Sequence, residues 1–142
     1  MADMIEFFIP CVIVAKQGDR SMIAGKAGSR WIRHYTPSAV KANANELARL
    51  MAPYRPVVPL CGPIRLEILA GFPWRKSESK SRRLAGCQPK DTKPDADNIA
   101  KQVCDVLQRS GFFANDSQIA SLLVSKVWCD APGLQVVISK VL

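Results

Sequence analysis

The chain has 142 residues, of which 48% are apolar, and its 20 Lys and Arg side chains against 12 Asp and Glu give a formal charge of +8. This length is typical of a single domain, here residues 1–142, and excludes large multidomain and repeat architectures. No apolar stretch approaches the roughly 20 residues of a membrane-spanning helix. An odd number of cysteines with a single histidine argues against a disulfide framework or a structural zinc site. We therefore expect a cytoplasmic protein with a polyanionic partner and no membrane contact.

The first part of the chain predicts a strand, a basic loop and a helix. The β-branched and aromatic residues over 5–14 are typical of a buried strand. The segment 16–35 contains basic residues and several glycines without an apolar period, which predicts a long, mobile basic loop. A helix is expected from near Pro37 to about Met51, because proline favours the first turn and Thr36 can serve as the N-cap.

A second predicted strand leads into a second basic segment. Apolar residues alternate with Arg65 and Glu67 over 64–72, which predicts a strand buried on one face. Residues 75–93 then carry seven basic side chains against two acidic ones and are rich in serine. This composition predicts another mobile loop with a cationic surface, which is either a solvated linker or a phosphate-binding element.

The last third of the chain predicts one helix and two strands. A helix begins near Asn98 and ends before Gly111, with a buried stripe at i, i+4, i+7 and i+8 that consists of Ile99, Val103, Val106 and Leu107. Strands are predicted over 119–129 and 134–142, joined as a hairpin by a turn at 130–133. The order β-α-β-α-β-β predicts an α+β (mixed α/β) domain with one mixed sheet and two main helices.

Three aspartates mark the two ends of the last predicted helix. Asp95 and Asp97 are two residues apart at its start, and Asp116 follows its end. Each has an ordinary structural interpretation: a helix cap, an ion pair of Asp97 with Lys101, or a turn residue. Asp95 and Asp97 cannot both be the N-cap, however, and two close carboxylates repel each other unless a cation or a raised pKa relieves the repulsion. Carboxylate oxygens suit Mg²⁺ or Mn²⁺.

An acidic site bordered by basic segments predicts phosphodiester cleavage. The basic segments would hold the nucleic acid, and the carboxylates would hold a metal ion that polarises a phosphoryl oxygen. A straight helix of roughly 20 Å would separate Asp95 from Asp116, so the chain after Gly111 must fold back along the helix. The candidate DNA-binding residues are Lys16, Arg20, Lys76, Lys80, Arg82, Arg83 and Lys93.

Two short motifs within residues 93–119 are the most specific feature of the sequence. The first is Lys93-Pro94-Asp95-Ala96-Asp97-Asn98-Ile99-Ala100-Lys101, a D-x-D-N-x-x-K element, and the second is Asp116-Ser117-Gln118. In these motifs and their spacing the chain resembles the RusA family of Holliday junction resolvases. The likeness extends over nearly the whole chain and includes phage and prophage members.

The resemblance implies a small homodimeric endonuclease that uses Mg²⁺ or Mn²⁺ to nick four-way DNA junctions symmetrically, in a bacterial or phage-infected cell. It implies that Asp95, Asp97 and Asp116 are essential carboxylates, which we assign to metal binding. It also implies that Lys101 is an essential lysine, which contacts the scissile phosphate or stabilises its transition-state charge. Asn98 matches the motif and would orient a neighbouring aspartate. A two-fold pair of subunits also matches the near-two-fold symmetry of a junction.

Two other functions fit the same residues. A non-catalytic DNA-binding protein would use the same basic surface, and a nuclease for branched DNA in general would use the same acidic site on other substrates. Cutting by the wild-type protein separates a resolvase from the first alternative. Paired, opposed incisions separate it from the second.

Overall fold

The structure, a computed structural model, describes residues 4–15 and 20–141. Two short 3₁₀ turns are formed by Ala52–Tyr54 and Asp116–Gln118. Over the described residues, no helix combines the length and the apolar character needed to cross a bilayer. The helices and strands are, in chain order, β1 (Met4–Ile9), β2 (Arg20–Lys26), β3 (Ser29–Tyr35), α1 (Ser38–Met51), β4 (Ile64–Pro73), α2 (Lys80–Leu84), β5 (Gln88–Pro89), α3 (Ala96–Arg109), β6 (Ile119–Cys129) and β7 (Gly133–Lys140).

Five strands form one mixed sheet in the order β1-β7-β4-β6-β5, and β2 and β3 form a separate two-stranded sheet. The central strand β4 pairs antiparallel with β7 and parallel with β6. The predicted α+β class with a mixed sheet is therefore confirmed. The predicted hairpin of the last two strands is wrong, because β4 lies between β6 and β7. Turn-forming residues reverse the chain direction, but they do not specify that the two flanking strands become neighbours.

The core lies between one face of the main sheet and the helices α1 and α3. The alternation predicted for β4 is confirmed, since its inward residues Ile64, Leu66, Ile68, Ala70 and Phe72 are buried. The predicted stripe of α3 is also buried, and no member of it is more than 2% exposed. Fully burying an aliphatic side chain stabilises a fold by about 1.5–3 kcal/mol. The stripe therefore fixes α3 against the sheet and determines where its N-terminal end lies.

Two element boundaries differ from the predictions. Helix α1 is confirmed, but its N-cap is Pro37 and not Thr36, and no side chain caps it. The Pro37 carbonyl oxygen accepts the first helical hydrogen bonds instead. The first strand ends at Ile9 and not near residue 14, because Pro10 has no N–H with which to continue the ladder.

Both segments predicted as irregular basic loops contain regular structure. Residues 20–35 form the antiparallel β2-β3 hairpin, while residues 16–19 of that prediction lie outside the described part of the chain. All seven residues of β3 are exposed, so the sequence lacks the one-sided apolar alternation by which most strands are recognised. Residues 75–93 contain helix α2 and the edge strand β5, and the Ser79 side chain caps α2 by accepting a hydrogen bond from the Arg82 N–H.

Candidate metal and DNA-binding site

The N-terminal end of α3 presents two exposed carboxylates. Asp95 is the N-cap residue, yet its side chain makes no capping hydrogen bond to the helix. Asp97 lies in the first turn, where its Oδ1 accepts a hydrogen bond of 2.9 Å from the backbone N–H of Asn98. The positive end of the helix dipole favours negative charge at this position. Both residues are exposed, so their carboxylates are accessible to a cationic ligand.

Asn98 and Lys101 occupy the first two turns of the same helix. Asn98 contacts Asp97 through its backbone N–H, a contact that does not require the asparagine side chain. Lys101 is exposed one turn after Asp97. Among the residues that the structure describes, no ion pair joins Lys101 to Asp97. The surface ion pair considered from the sequence is therefore not formed, and the Lys101 ammonium is available to a phosphate group.

Two lysines hold the segment immediately before Asp95, one on β6 and one directly after β5. Lys126 on β6 donates from Nζ to the carbonyl oxygen of Thr92 at 2.8 Å and to that of Pro94 at 3.0 Å. Lys90, which follows β5, donates from Nζ to Oγ1 of Thr92 at 2.6 Å. Hydrogen bonds from charged donors are stronger than those between neutral groups. The two bonds from Lys126 tie the backbone before Asp95 to β6.

Lys90 is buried, with only 9% of its surface exposed. Its Nζ lies 3.7 Å from the centroid of the Trp128 ring and 5.0 Å from that of the Phe72 ring. Burial lowers the pKa of Lys90, and the nearby positive charges of Lys126 and Arg75 act in the same direction. The aromatic faces attract the ammonium group and partly replace the water that it loses. Lys90 therefore covers one face of the Trp128 ring, so this contact of Trp128 is structural.

Asp116 begins the 3₁₀ turn that precedes β6. Its backbone N–H donates a hydrogen bond of 3.0 Å to Oε1 of Gln108 on α3. Asn115 and Gln118 hold the turn through a reciprocal capping box. Burial, followed by the charge of Asp116, raises the pKa of the Cys104 thiol to about 11. The hydrogen bond to Gln108 shows that the chain after Gly111 folds back against α3.

The three predicted metal ligands come from the two ends of α3. Asp95 and Asp97 share its N-terminal end, whereas the backbone N–H of Asp116 contacts the side chain of Gln108, eleven residues beyond Asp97 (108 − 97). Within residues 4–15 and 20–141, no three His, Cys, Asp or Glu side chains are grouped closely enough to hold a metal ion. The assignment of all three aspartates to one metal ion stays a prediction.

The basic segment between β4 and β5 is organised around Glu78. The Glu78 carboxylate pairs with Arg75 at 3.2 Å and with Arg82 at 3.3 Å, and only 5% of its side chain is exposed. Arg83 is partly buried and donates to the carbonyl oxygen of Arg75 at 3.0 Å. The arginines therefore stabilise the conformation of the segment and also give it positive charge.

The other predicted DNA-binding residues differ in how they are placed. Lys76, Lys80 and Lys93 are exposed and can reach a phosphate without breaking a described ion pair. Lys16 and the side chain of Arg20 lie outside the part of the chain that the structure describes. The assignment of all these residues to DNA binding stays a prediction.

Sequence reasoning missed Lys90, Lys126 and Gln108. The carbonyl groups that Lys126 contacts are 34 and 32 residues earlier in the chain, so no local pattern indicates the contact. One signal was present: Lys126 and Trp128 are two positions apart in a strand, so both side chains lie on its inward face. A lysine at an inward strand position requires a polar partner, because burying an unpaired charge is costly.

The fold and the site together define a class of protein. A small basic α+β domain with paired carboxylates beside cationic segments is typical of nucleases. The family model described as endodeoxyribonuclease RusA matches residues 10–139. A protein of Bacillus subtilis (strain 168), described as uncharacterized protein YqaN, is 30% identical over 145 residues, which cover 98% of each chain. The chain therefore belongs to the RusA endodeoxyribonuclease family.

Membership in this family implies endodeoxyribonuclease activity of the Holliday junction resolvase type. The family acts on branched DNA junctions, and its nucleases are generally dependent on a divalent metal ion. The resemblance found in the motifs of residues 93–119 is thereby confirmed at the level of the family. The match covers α3 and the turn that carries Asp116.

Proposed function

We propose that the protein is a Mg²⁺- or Mn²⁺-dependent endonuclease that acts as a homodimer and resolves four-way DNA junctions by paired, symmetric nicks. The observation that carries this proposal is the pair of exposed carboxylates of Asp95 and Asp97, with the backbone before them tied to the sheet by Lys126. Carboxylate oxygens are the ligands that hard divalent cations prefer. Family membership supports the junction as substrate.

Each residue at the start of α3 has a distinct role in this proposal. Asp95 and Asp97 would hold the metal ion, which would supply the Lewis acidity that polarises a phosphoryl oxygen. Asn98 restrains the Asp97 carboxylate through its backbone N–H. Lys101 lies one turn further along the helix, where its ammonium contacts the scissile phosphate and stabilises the negative charge that develops there.

Asp116 joins the site, in this proposal, when a second subunit and the DNA are present. Strand β5 pairs with Val127 and Trp128, and the Lys90 N–H donates to the Lys126 carbonyl oxygen, so among the described residues the edge of β6 over residues 119–125 has no strand partner on this side. Leu122 and Leu123 on this part of the strand are 48% and 52% exposed. A free strand edge with exposed apolar side chains is a ready pairing surface. Isologous pairing of two copies there would bring the partner's Asp116 towards the other subunit.

The test is incubation of the wild-type protein with a synthetic four-way junction and with a plasmid that extrudes a cruciform, each with and without Mg²⁺. We expect metal-dependent, opposed nicks that leave ligatable duplexes, because two identical sites act on one junction. The plasmid should become linear within a single binding event. Binding without cutting in Mg²⁺ or Mn²⁺ would support a non-catalytic DNA-binding protein. Single, unpaired cuts in flaps and three-way junctions would support a general nuclease for branched DNA.

The basic segment before β5 is expected to supply phosphate contacts. Replacing Lys76 and Lys80 together by alanine should weaken junction binding and lower the slope of log affinity against log salt by about one for each lost phosphate contact. The matched control is the double variant Lys41→Ala and Arg49→Ala on α1, which removes the same charge. Titration by fluorescence anisotropy at several salt concentrations measures both quantities. An equal loss in the two variants would show that only net charge matters.

A further inference from the structure

The β2-β3 hairpin stands apart from the main sheet. Its two strands form a sheet of their own, and every residue of β3 is exposed. Apolar side chains that are exposed as a group mark a binding surface. The large apolar side chains of the hairpin are between 43% and 71% exposed. Strand alternation places Met22, Trp31 and Tyr35 on one face, which is the candidate binding face, and Ile23 and Ile32 on the other.

The hairpin also carries charge of a single sign. Residues 20–35 include four Lys or Arg residues and one His, with no Asp or Glu. Such a segment favours a polyanion as its partner. An intact DNA duplex offers phosphates and groove edges on its surface, for which cations and polar groups suffice. Exposed aromatic and aliphatic side chains instead fit the flat, apolar faces of bases that are no longer stacked.

Trp31 is held in a defined position on one face of the hairpin. Strand alternation places Trp31, Arg33 and Tyr35 on that face, and Met22 lies opposite Arg33. A Cβ atom on Gly25 would lie 2.5 Å from Cζ3 of Trp31, so the indole packs directly against the glycine backbone. The indole nevertheless remains 57% exposed. The hairpin therefore supports the ring on one side and leaves it accessible to a planar partner on the other.

We propose that this hairpin binds the branch point of the DNA, with Trp31 stacked on a base that has lost a stacking neighbour there. Arg33 on the same face contacts a flanking phosphate, and Lys26 and Arg30 beside the turn contact others. This inference rests on the proposed function. It would explain how the protein binds branched DNA in preference to linear DNA. An intact duplex offers no open base face, and unstacking it would cost a few kcal/mol per step.

The test uses four-way junctions that carry 2-aminopurine either at the branch point or in the middle of one arm, without divalent metal so that no cutting occurs. The wild-type protein should change the fluorescence at the branch point and not in the arm. The Trp31→Ala variant should lose this change and bind the junction about five- to a hundredfold more weakly, the range for removal of a stacked base. Its affinity for linear duplex and its thermal unfolding should stay the same, because the exposed ring contributes nothing to the core.

Two further variants separate stacking from a general effect on the hairpin. Trp31→Phe retains an aromatic face and should restore most of the fluorescence change, whereas Ile32→Ala, on the opposite face, should behave like the wild-type protein. An unchanged response in Trp31→Ala, or an equal loss in Ile32→Ala, would overturn the inference. If the wild-type protein cuts junctions while Trp31→Ala keeps the fluorescence change, only the hairpin inference fails. A wild-type protein that neither cuts nor prefers junctions contradicts the proposed function itself.

Discussion

Replacement of Asp97 by asparagine is expected to reduce metal-dependent cutting of a four-way junction by at least about a hundredfold, a loss typical for removal of a group that stabilises transition-state charge. Asparagine is close in size to aspartate and can still accept the Asn98 N–H bond, so the start of α3 should keep its conformation. The lost property is the negative charge that binds the metal ion. Single-turnover cutting in saturating Mg²⁺ measures the effect.

Junction binding by the Asp97→Asn variant should be retained or become tighter, because one negative charge near the DNA phosphates is removed. The matched control is Asp105→Asn, which removes an exposed carboxylate from the same helix outside the proposed metal site. That control should cut at close to the wild-type rate. Normal cutting by Asp97→Asn, or equal impairment of both variants, would remove Asp97 from the list of metal ligands.

Replacement of Lys126 by methionine is expected to weaken metal binding and cutting by about ten- to a hundredfold, the range reported for groups that orient metal ligands. Methionine keeps much of the length and apolar stem of the side chain but cannot donate to the carbonyl oxygens of Thr92 and Pro94. The backbone before Asp95 then loses its attachment to β6. Mn²⁺ affinity, followed by electron paramagnetic resonance, and single-turnover cutting measure the effect.

A purely structural role for Lys126 would give a different pattern. Loss of its hydrogen bonds costs about 1–3 kcal/mol of stability in either case, so the comparison is made well below the unfolding midpoint of the variant. Lys126→Arg keeps the positive charge and two or more donors, and it should recover part of the metal affinity. A Lys126→Met variant that unfolds earlier but binds Mn²⁺ and cuts normally would show that Lys126 does not position Asp95.

The contrast between β4 and the β2-β3 hairpin shows which strands the sequence can predict. Strand β4 alternates because one face meets the core, so its burial pattern is visible in the order of its residues. The hairpin buries neither face. Its basic residues therefore interrupt the apolar alternation from which a strand is predicted. The available signal was weak: Gly28, which adopts a positive φ of 89°, marks a turn, but Ala27-Gly28 is not among the dipeptides that favour two-residue hairpin loops.

The site shows a similar division. Local spacing was sufficient to predict that Asp95 and Asp97 share a helix start and that Lys101 follows them by one turn. The position of Asp116 was not predictable, because it depends on a hydrogen bond to Gln108 and on a turn held by its own capping box. The support from Lys126 was also invisible, since it joins β6 to residues more than thirty positions earlier.

The sequence by itself determined the two main helices α1 and α3, the inward face of β4, the family motifs and the acidic start of α3, since each of these depends on residues within a few positions of one another. The tertiary structure alone decided that β4 lies between β6 and β7, that Lys126 of β6 holds the backbone before Asp95, and that the Asp116 N–H contacts Gln108 of α3. The physical reason is that strand order and long-range hydrogen bonds are fixed by packing of the whole core. Segments with similar local sequence patterns can therefore take different strand orders and different long-range contacts in different folds.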